Sequence, residues 1–198
     1  MAKTLLSMSG ADLTPNRISE SVLILIDCQN EYVTGALPLV GVDAAMEDAA
    51  VMLARYRKTG APIFHIQHEG KAGGAFDLDD PRGAIDARVA PKDGEEVIRK
   101  SLPNSFAGTT LEAKLRALDA KQLTIIGFQT HMCVSATTRA ALDLGYRNTL
   151  VASAIATRDL PSATGASDVS AETVHQATLA ALADRFAIVA KTPAEIAD

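Results

Sequence analysis

The feature that most limits what this chain can fold into is a rhythm. From about residue 20 to the C-terminus, short apolar runs alternate with segments of helical periodicity. "SVLILIDCQN" is followed by "VDAAMEDAAVMLARYRKTG", and "APIFHIQH" then leads through a long loop to "VIRK". After these come "TTLEAKLRALDA", "QLTIIGF", "CVSATTRAALDLG", "NTLVAS", "SAETVHQATLAALAD" and "FAIVA". The run Val22–Ile26 is apolar at every position, as a strand buried on both faces requires. Strands alternating with helices imply a mostly parallel sheet covered on both sides, a three-layer αβα arrangement. Right-handed crossovers leave few topologies. The expectation is an α/β fold with a doubly wound six-stranded sheet in the order 3-2-1-4-5-6, in one domain over residues 1–198, with 1–20 as a loosely specified lead-in.

Local signals set the expected boundaries. Asp43 is placed to cap the first long helix, and Gly60 to end it after Arg57 and Lys58. Thr109 and Glu112 stand at capping-box spacing. Residues 69–96 are rich in Gly, Asp and Pro and lack periodicity, and a loop this long in a compact domain is often functional. Neither an internal repeat nor a low-complexity tract occurs.

Composition excludes several functions. Aromatic residues make up 4% and tryptophan is absent, so the core must be built from Ala, Leu, Val and Ile. A net charge of −5 without a long basic run argues against nucleic acid or an anionic membrane as partner. The longest strongly apolar run is far too short to span a bilayer. "MAKTLLSMSGADLTPNR" has no adequate apolar core for a secretory signal, so a cytoplasmic location is expected. In that setting the two cysteines read as free thiols.

In open α/β sheets, ligands bind beyond the carboxyl ends of the strands, near the point where strand order reverses. That rule selects three residues. Asp27 ends the first strand, Lys100 ends the third, and Cys133 follows the fourth at the expected start of a helix. A helix start and a nearby ammonium both favour a thiolate. A carboxylate can accept the thiol proton and return it to a leaving group. Backbone N–H groups in the turn are natural donors to an oxyanion. Each residue alone has a plainer reading: a buried cysteine is most often a small hydrophobe, and only the joint placement favours catalysis. Cys28 lacks a helix start beneath it and reads as structural.

Three stretches carry a family resemblance: "LILIDCQNEYVTGALPL", "VIRKSLPNSFAGTTLEAKL" and "IIGFQTHMCVSATTRAALDLGY". In order, spacing and flanking residues, the chain resembles the isochorismatase-like cysteine hydrolases over roughly residues 20–190. The resemblance implies an Asp27–Lys100–Cys133 triad and homo-oligomers. It also implies a cis peptide bond at Phe128–Gln129, which aims the N–H groups of Gln129 and Cys133 at the oxyanion. Nicotinamidases of this family hold a metal with a D-x-H motif after strand two. Here Gln67 and Glu69 stand in those positions, and His65 and His68, three apart on a strand, point to opposite faces. No metal and no cofactor are expected, and both histidines read as ordinary strand residues. Gln67 is a candidate substrate contact, and His131, Tyr32, Leu37, Phe76 and Phe106 are candidate pocket residues. After strand five many members read "DA", where this chain has Ser153–Ala154. The expected function is hydrolysis of a small amide, carbamoyl or ureide compound through a thioester. The alternatives are an isochorismatase-type vinyl-ether hydrolase and a non-catalytic binding module.

Overall fold

The structure, a computed structural model, describes residues 2–198. Its sheet contains six strands in the order β3-β2-β1-β4-β5-β6: β1 Val22–Ile26, β2 Ile63–His68, β3 Glu96–Lys100, β4 Gln122–Phe128, β5 Arg147–Ala156 and β6 Ile188–Ala190. Every strand pair is parallel, so the expected order holds and the sheet is wholly parallel. The helices are α1 Leu5–Met8, α2 Val42–Thr59, α3 Leu111–Ala117, α4 Ser135–Asp143 and α5 Ala171–Arg185. Among the described residues no helix is long and apolar enough to cross a membrane.

Alternation along β1 divides the core. Leu23 and Leu25 join an apolar cluster with Ala45, Met46, Ala49, Met52, Leu53 and Tyr56 of α2. Val22, Ile24 and Ile26 join a second cluster with Leu111 and Leu115 of α3, Ala141 of α4, and Leu179 and Leu182 of α5. One face is therefore covered by α2 and the other by α3, α4 and α5. All five β1 side chains are buried, because both faces are covered. Met46, Met52 and Leu53 are wholly inaccessible, and burial of each such side chain contributes roughly 1.5–3 kcal/mol.

The caps differ from expectation in two places. The residue before α2 is Gly41, with Asp43 inside the first turn, while Gly60 ends the helix in the left-handed region at φ 71°. Helix α3 starts at Leu111 after Thr110. The Thr109 hydroxyl donates to Ser105 O at 2.6 Å, and no capping box forms. The lead-in is also better anchored than its composition suggests. Asn16 is buried, its amide donating to the carbonyls of Leu123 and Arg147.

One glycine shapes the sheet near the switch point. Gly127 has φ 110°, and a Cβ there would lie 2.1 Å from Ile26 O. Only glycine permits that approach of β4 to the end of β1. The β4–β5 register shifts between Ile125 and Gly127, a bulge that redirects the chain just before the turn carrying Cys133.

Candidate active site

Strand β1 ends at Ile26, and Asp27 adopts φ 51°, a left-handed conformation that Asp tolerates better than most residues. Its N–H donates to Ile66 O at 2.9 Å, while its carbonyl accepts from Gln29 N at 2.8 Å. The turn thus leaves the carboxylate wholly buried at the rim. From the end of β3, the Lys100 ammonium donates to Asp27 Oδ2 at 2.7 Å. The parallel register pairs Lys100 with His68, so the two side chains stand side by side. The ammonium contacts His68 Nδ1 at 3.2 Å and Cys133 Sγ at 3.3 Å. An ammonium has three hydrogens and no acceptor, so Asp27, His68 and Cys133 take all three. His68 Nδ1 is then the acceptor, which puts the imidazole proton on Nε2.

Cys133 sits in a single π turn, Thr130–Val134, that closes with Val134 N donating to Gln129 O at 3.2 Å and continues into α4. The Phe128–Gln129 peptide bond before it is cis. Cys133 therefore precedes the helix proper, which begins at Ser135. The nearby ammonium acts on the thiol in the expected direction, but burial acts against it. Burial, followed by the charge of Asp27, pushes the Cys133 thiol up to about 12, and the Lys100 cation only partly opposes this. Burial also raises the Asp27 carboxyl, with Lys100 acting in the opposite direction. His68 is held down at about 4, first by burial and then by the Lys100 cation. Desolvation outweighs the Lys100 cation here because Cys133 is only 4% exposed.

Asp27, His68 and Cys133 have ligand atoms within 4.8 Å of one another, a spacing that could hold a metal. The Lys100 ammonium bonds to all three, so a cation already balances that donor set. Gln67 and Glu69 flank His68 where a D-x-H chelate would be, and the residues do not fit a nicotinamidase-type metal.

A cavity of about 250 Å³ opens onto the sulfur, lined by Tyr32, Leu37, His68, Phe76, Pro103, Gln129, Met132, Cys133 and Arg158. At ~30 Å³ per water, it would hold about eight waters, the scale of a small metabolite. Tyr32 meets Phe76 edge to face at 5.0 Å, and Phe76 meets His68 at 5.1 Å. Buried Glu31 ties two of the wall loops together, accepting from Ala36 N at 2.6 Å and Phe76 N at 3.3 Å. The Gln29 amide holds the end of β2, accepting from His68 N at 2.8 Å and donating to His68 O at 3.0 Å and Gly83 O at 2.8 Å.

Of the residues expected in the pocket, Tyr32, Leu37 and Phe76 line this cavity, as do Cys133 and Gln129, the expected oxyanion donors. Three others lie elsewhere. The Gln67 amide donates to Gly83 O at 3.0 Å. Phe106 stacks on Tyr146 at 6.0 Å, against the core on the α3 side. His131 Nδ1 bonds the Thr157 hydroxyl at 2.7 Å. His65 is buried against Glu95 at 3.0 Å and is the ordinary strand residue of the pair; His68 is not. Sequence reasoning also missed Arg158. It ended strand five at Ser153, which lies inside β5, its N–H on Lys191 O at 3.0 Å. The rim is reached only at Thr157 and Arg158.

Comparison with known proteins agrees with the geometry. A family model, the Isochorismatase domain, matches residues 21–194. The isochorismatase family protein YddQ of Bacillus subtilis is 39% identical over 177 residues, 88% of this chain and 97% of its own length. A streptothricin hydrolase of Streptomyces noursei is 35% identical over 173 residues, 87% of this chain and 63% of that protein. The crystal structure of an isochorismatase from Pseudomonas putida is 41% identical and superposes with a TM-score of 0.94, covering 99% of this chain and all of that one. Sheet order, the sequence match along nearly the whole chain and the superposition agree: this chain belongs to the isochorismatase family of hydrolases.

Proposed function

We propose that the chain hydrolyses a C–N bond of a small amide, carbamoyl or ureide compound through a thioester on Cys133. One observation carries the reading: a buried ammonium bonds at once to a carboxylate and to a thiol that opens onto a cavity. A buried ion pair is poor evidence of stabilisation, because its desolvation cost rivals its attraction. Its presence beside a cavity is better explained by chemistry.

Asp27 Oδ2 is held by Lys100, whereas buried Oδ1 has no hydrogen-bond partner. Oδ1 is the lone pair free to take the thiol proton. In the proposed resting state a neutral thiol stands beside a carboxylate paired with Lys100, and proton transfer accompanies attack. The Sγ–C bond forms as the proton moves to Asp27, and negative charge passes to the carbonyl oxygen. The N–H groups of Gln129 and Cys133 are the proposed donors to that oxygen. On collapse the C–N bond breaks, and the amine or ammonia leaves with the proton from Asp27. Water, deprotonated by Asp27, then adds to the thioester, releasing the acid and restoring the thiol. Lys100 keeps Asp27 and the sulfur balanced through each charge change and supplies the only cation this sequence of steps requires.

The test is ammonia release from a panel of small amides, ureides and carbamoyl compounds, with mass spectrometry of the protein during turnover. The expected result is an acyl adduct on Cys133 and loss of turnover by at least about 10⁴-fold in Cys133→Ala. Wild-type rates of ammonia release in that variant would reject Cys133 as the nucleophile, whereas no ammonia from any compound, with thiol-independent cleavage of a vinyl ether, would favour the vinyl-ether hydrolase.

A further inference from the structure

We propose that His68 is a substrate-binding donor, its Nε2–H reserved for a carbonyl or ether oxygen that the substrate carries in addition to its scissile amide. The proposal rests on the reading of Cys133 as nucleophile and adds a recognition element to it.

The imidazole is held from three sides. Its main chain is clamped by buried Gln29, which accepts from His68 N at 2.8 Å and donates to His68 O at 3.0 Å. Phe76 packs edge to face on the ring at 5.1 Å. Phe76 is itself fixed, with φ 60° and its N–H on buried Glu31 at 3.3 Å. On the third side Nδ1 meets the Lys100 ammonium at 3.2 Å. The ammonium has only hydrogens to give, so the imidazole proton stays on Nε2. A ring constrained in this way presents its N–H in one direction, away from Lys100.

That N–H is spare. Among the described residues no group bonds Nε2, and the atom is reachable rather than sealed. His68 lines the cavity in front of Cys133. Burial and the Lys100 cation hold it down at about 4, so near neutral pH it is a donor without charge. One of its ring nitrogens lies within 4.8 Å of both Cys133 Sγ and an Asp27 carboxylate oxygen. A substrate seated on the sulfur is therefore within reach of the ring. No lining side chain is a carboxylate, and Tyr32, Leu37, Phe76, Pro103 and Met132 make most of the wall apolar.

A fixed donor without an acceptor selects for the ligand that satisfies it. An oxygen placed there gains a hydrogen bond, whereas a methylene of the same shape leaves the N–H desolvated and unpaired. Nδ1 is turned toward the catalytic groups, so Nε2, across the ring, addresses the substrate beyond its scissile carbonyl. A cavity of about 250 Å³ keeps that second oxygen only a few bonds away.

The experiment uses three primary amides that carry the oxygen at different reach, each against its isostere: methoxyacetamide against butyramide, acetoacetamide against isovaleramide, and β-methoxypropionamide against valeramide. Ammonia release is measured with the wild-type chain, His68→Phe and His68→Gln. His68 also touches Lys100, so its replacement should lower every rate, and the readout is the ratio of kcat/KM within a pair. At least one pair should give a wild-type ratio of about 10 or more. His68→Phe should bring that ratio to within about twofold of unity, with His68→Gln, which keeps an N–H, between. A purely structural His68 would slow both members equally and leave the ratio unchanged. That result, or a wild-type ratio near unity in every pair, would overturn the proposal. Imidazole nitrogen NMR of the Cys133→Ala protein tests it without any His68 variant. The preferred amide at saturation should shift the Nε2 resonance and its isostere should not; an unmoved resonance would also overturn the proposal. Should none of the amides be hydrolysed, oxygen-dependent binding that shifts Nε2 would keep the donor subsite and reject the amidase reading, and absence of such binding would reject both.

Discussion

Cys28 and Cys133 are a matched pair that separates what burial does from what a site does. Their exposures are 2% and 4%. Both thiols are raised, with desolvation first and the charge of Asp27 second. Neither burial nor the direction of titration tells the nucleophile from the core residue. Their surroundings do. Cys28 lies in the cluster on the α2 side, and its one polar contact is Ile26 O at 3.8 Å. Cys133 lies on the opposite face, 3.3 Å from an ammonium, with a cavity in front of it. A buried thiol becomes a candidate catalyst when a cation balances its charge and a ligand can reach it.

Short of removing Cys133 itself, the largest effect should come from the group the two thiols share. Asp27→Asn removes the proposed base, and turnover should fall by about 10²- to 10⁴-fold. The same change should speed alkylation of Cys133 by iodoacetamide near pH 8. The sign follows from the charges: burial and Asp27 raise this thiol and Lys100 lowers it, so removing the carboxylate leaves burial as the main influence against Lys100 and increases the thiolate fraction. Cys28 should stay unlabelled in both proteins. Kinetics on a responsive amide and peptide mapping of the label check the two arms. Unchanged turnover would remove Asp27 from the mechanism, and slower labelling would reject the charge argument.

Much of this contrast was legible in the sequence, and the reasons for the rest are local. Continuous apolar runs such as Val22–Ile26 announce strands buried on both faces, and alternation with helices fixes the parallel order. The rim rule then finds Asp27, Lys100 and Cys133, because each lies at or just past a strand end. His68 was read only along its own strand, where parity with His65 says nothing about the neighbour. Its role comes from the register with Lys100, a relation between two segments. Arg158 was missed because β5 runs to Ala156, beyond the segment read as strand. Gln67, Phe106 and His131 have the right chemistry close to the rim, but their partners are Gly83, Tyr146 and Thr157. Which of several nearby polar groups faces a cavity depends on loop conformation, and composition does not encode that.

A pH series sharpens the comparison at the next scale of effect. With the thiol at about 12, the Cys133 thiolate fraction should rise about tenfold per pH unit between about pH 6 and pH 9, and alkylation should follow it without a plateau. A plateau beginning below about pH 8 would mean a resting thiolate already balanced by Lys100, with Asp27 protonated instead. Turnover over the same range should be flatter than alkylation, because the proton leaves Cys133 to Asp27 within the complex rather than to solvent.

The smallest effect belongs to Cys28, and it closes the comparison from the other side. Cys28→Ala removes one buried sulfur from a packed cluster, the equivalent of a small cavity. The cost should be about 1–2 kcal/mol, a fall in Tm of roughly 2–8 °C for a chain of this size. Turnover should stay within about twofold, since Cys28 does not line the cavity and its side chain has no hydrogen bond to Lys100 or to the groups bonded to it. Cys133→Ala should show the reverse pattern: little change in Tm, because the cavity beside it is already open, and no turnover. Thermal melts and initial rates on both variants read the two axes independently. A Cys28→Ala protein that melts normally but does not turn over would show that the two thiols had been assigned the wrong way round, and that contact with an ammonium does not mark the nucleophile in this fold.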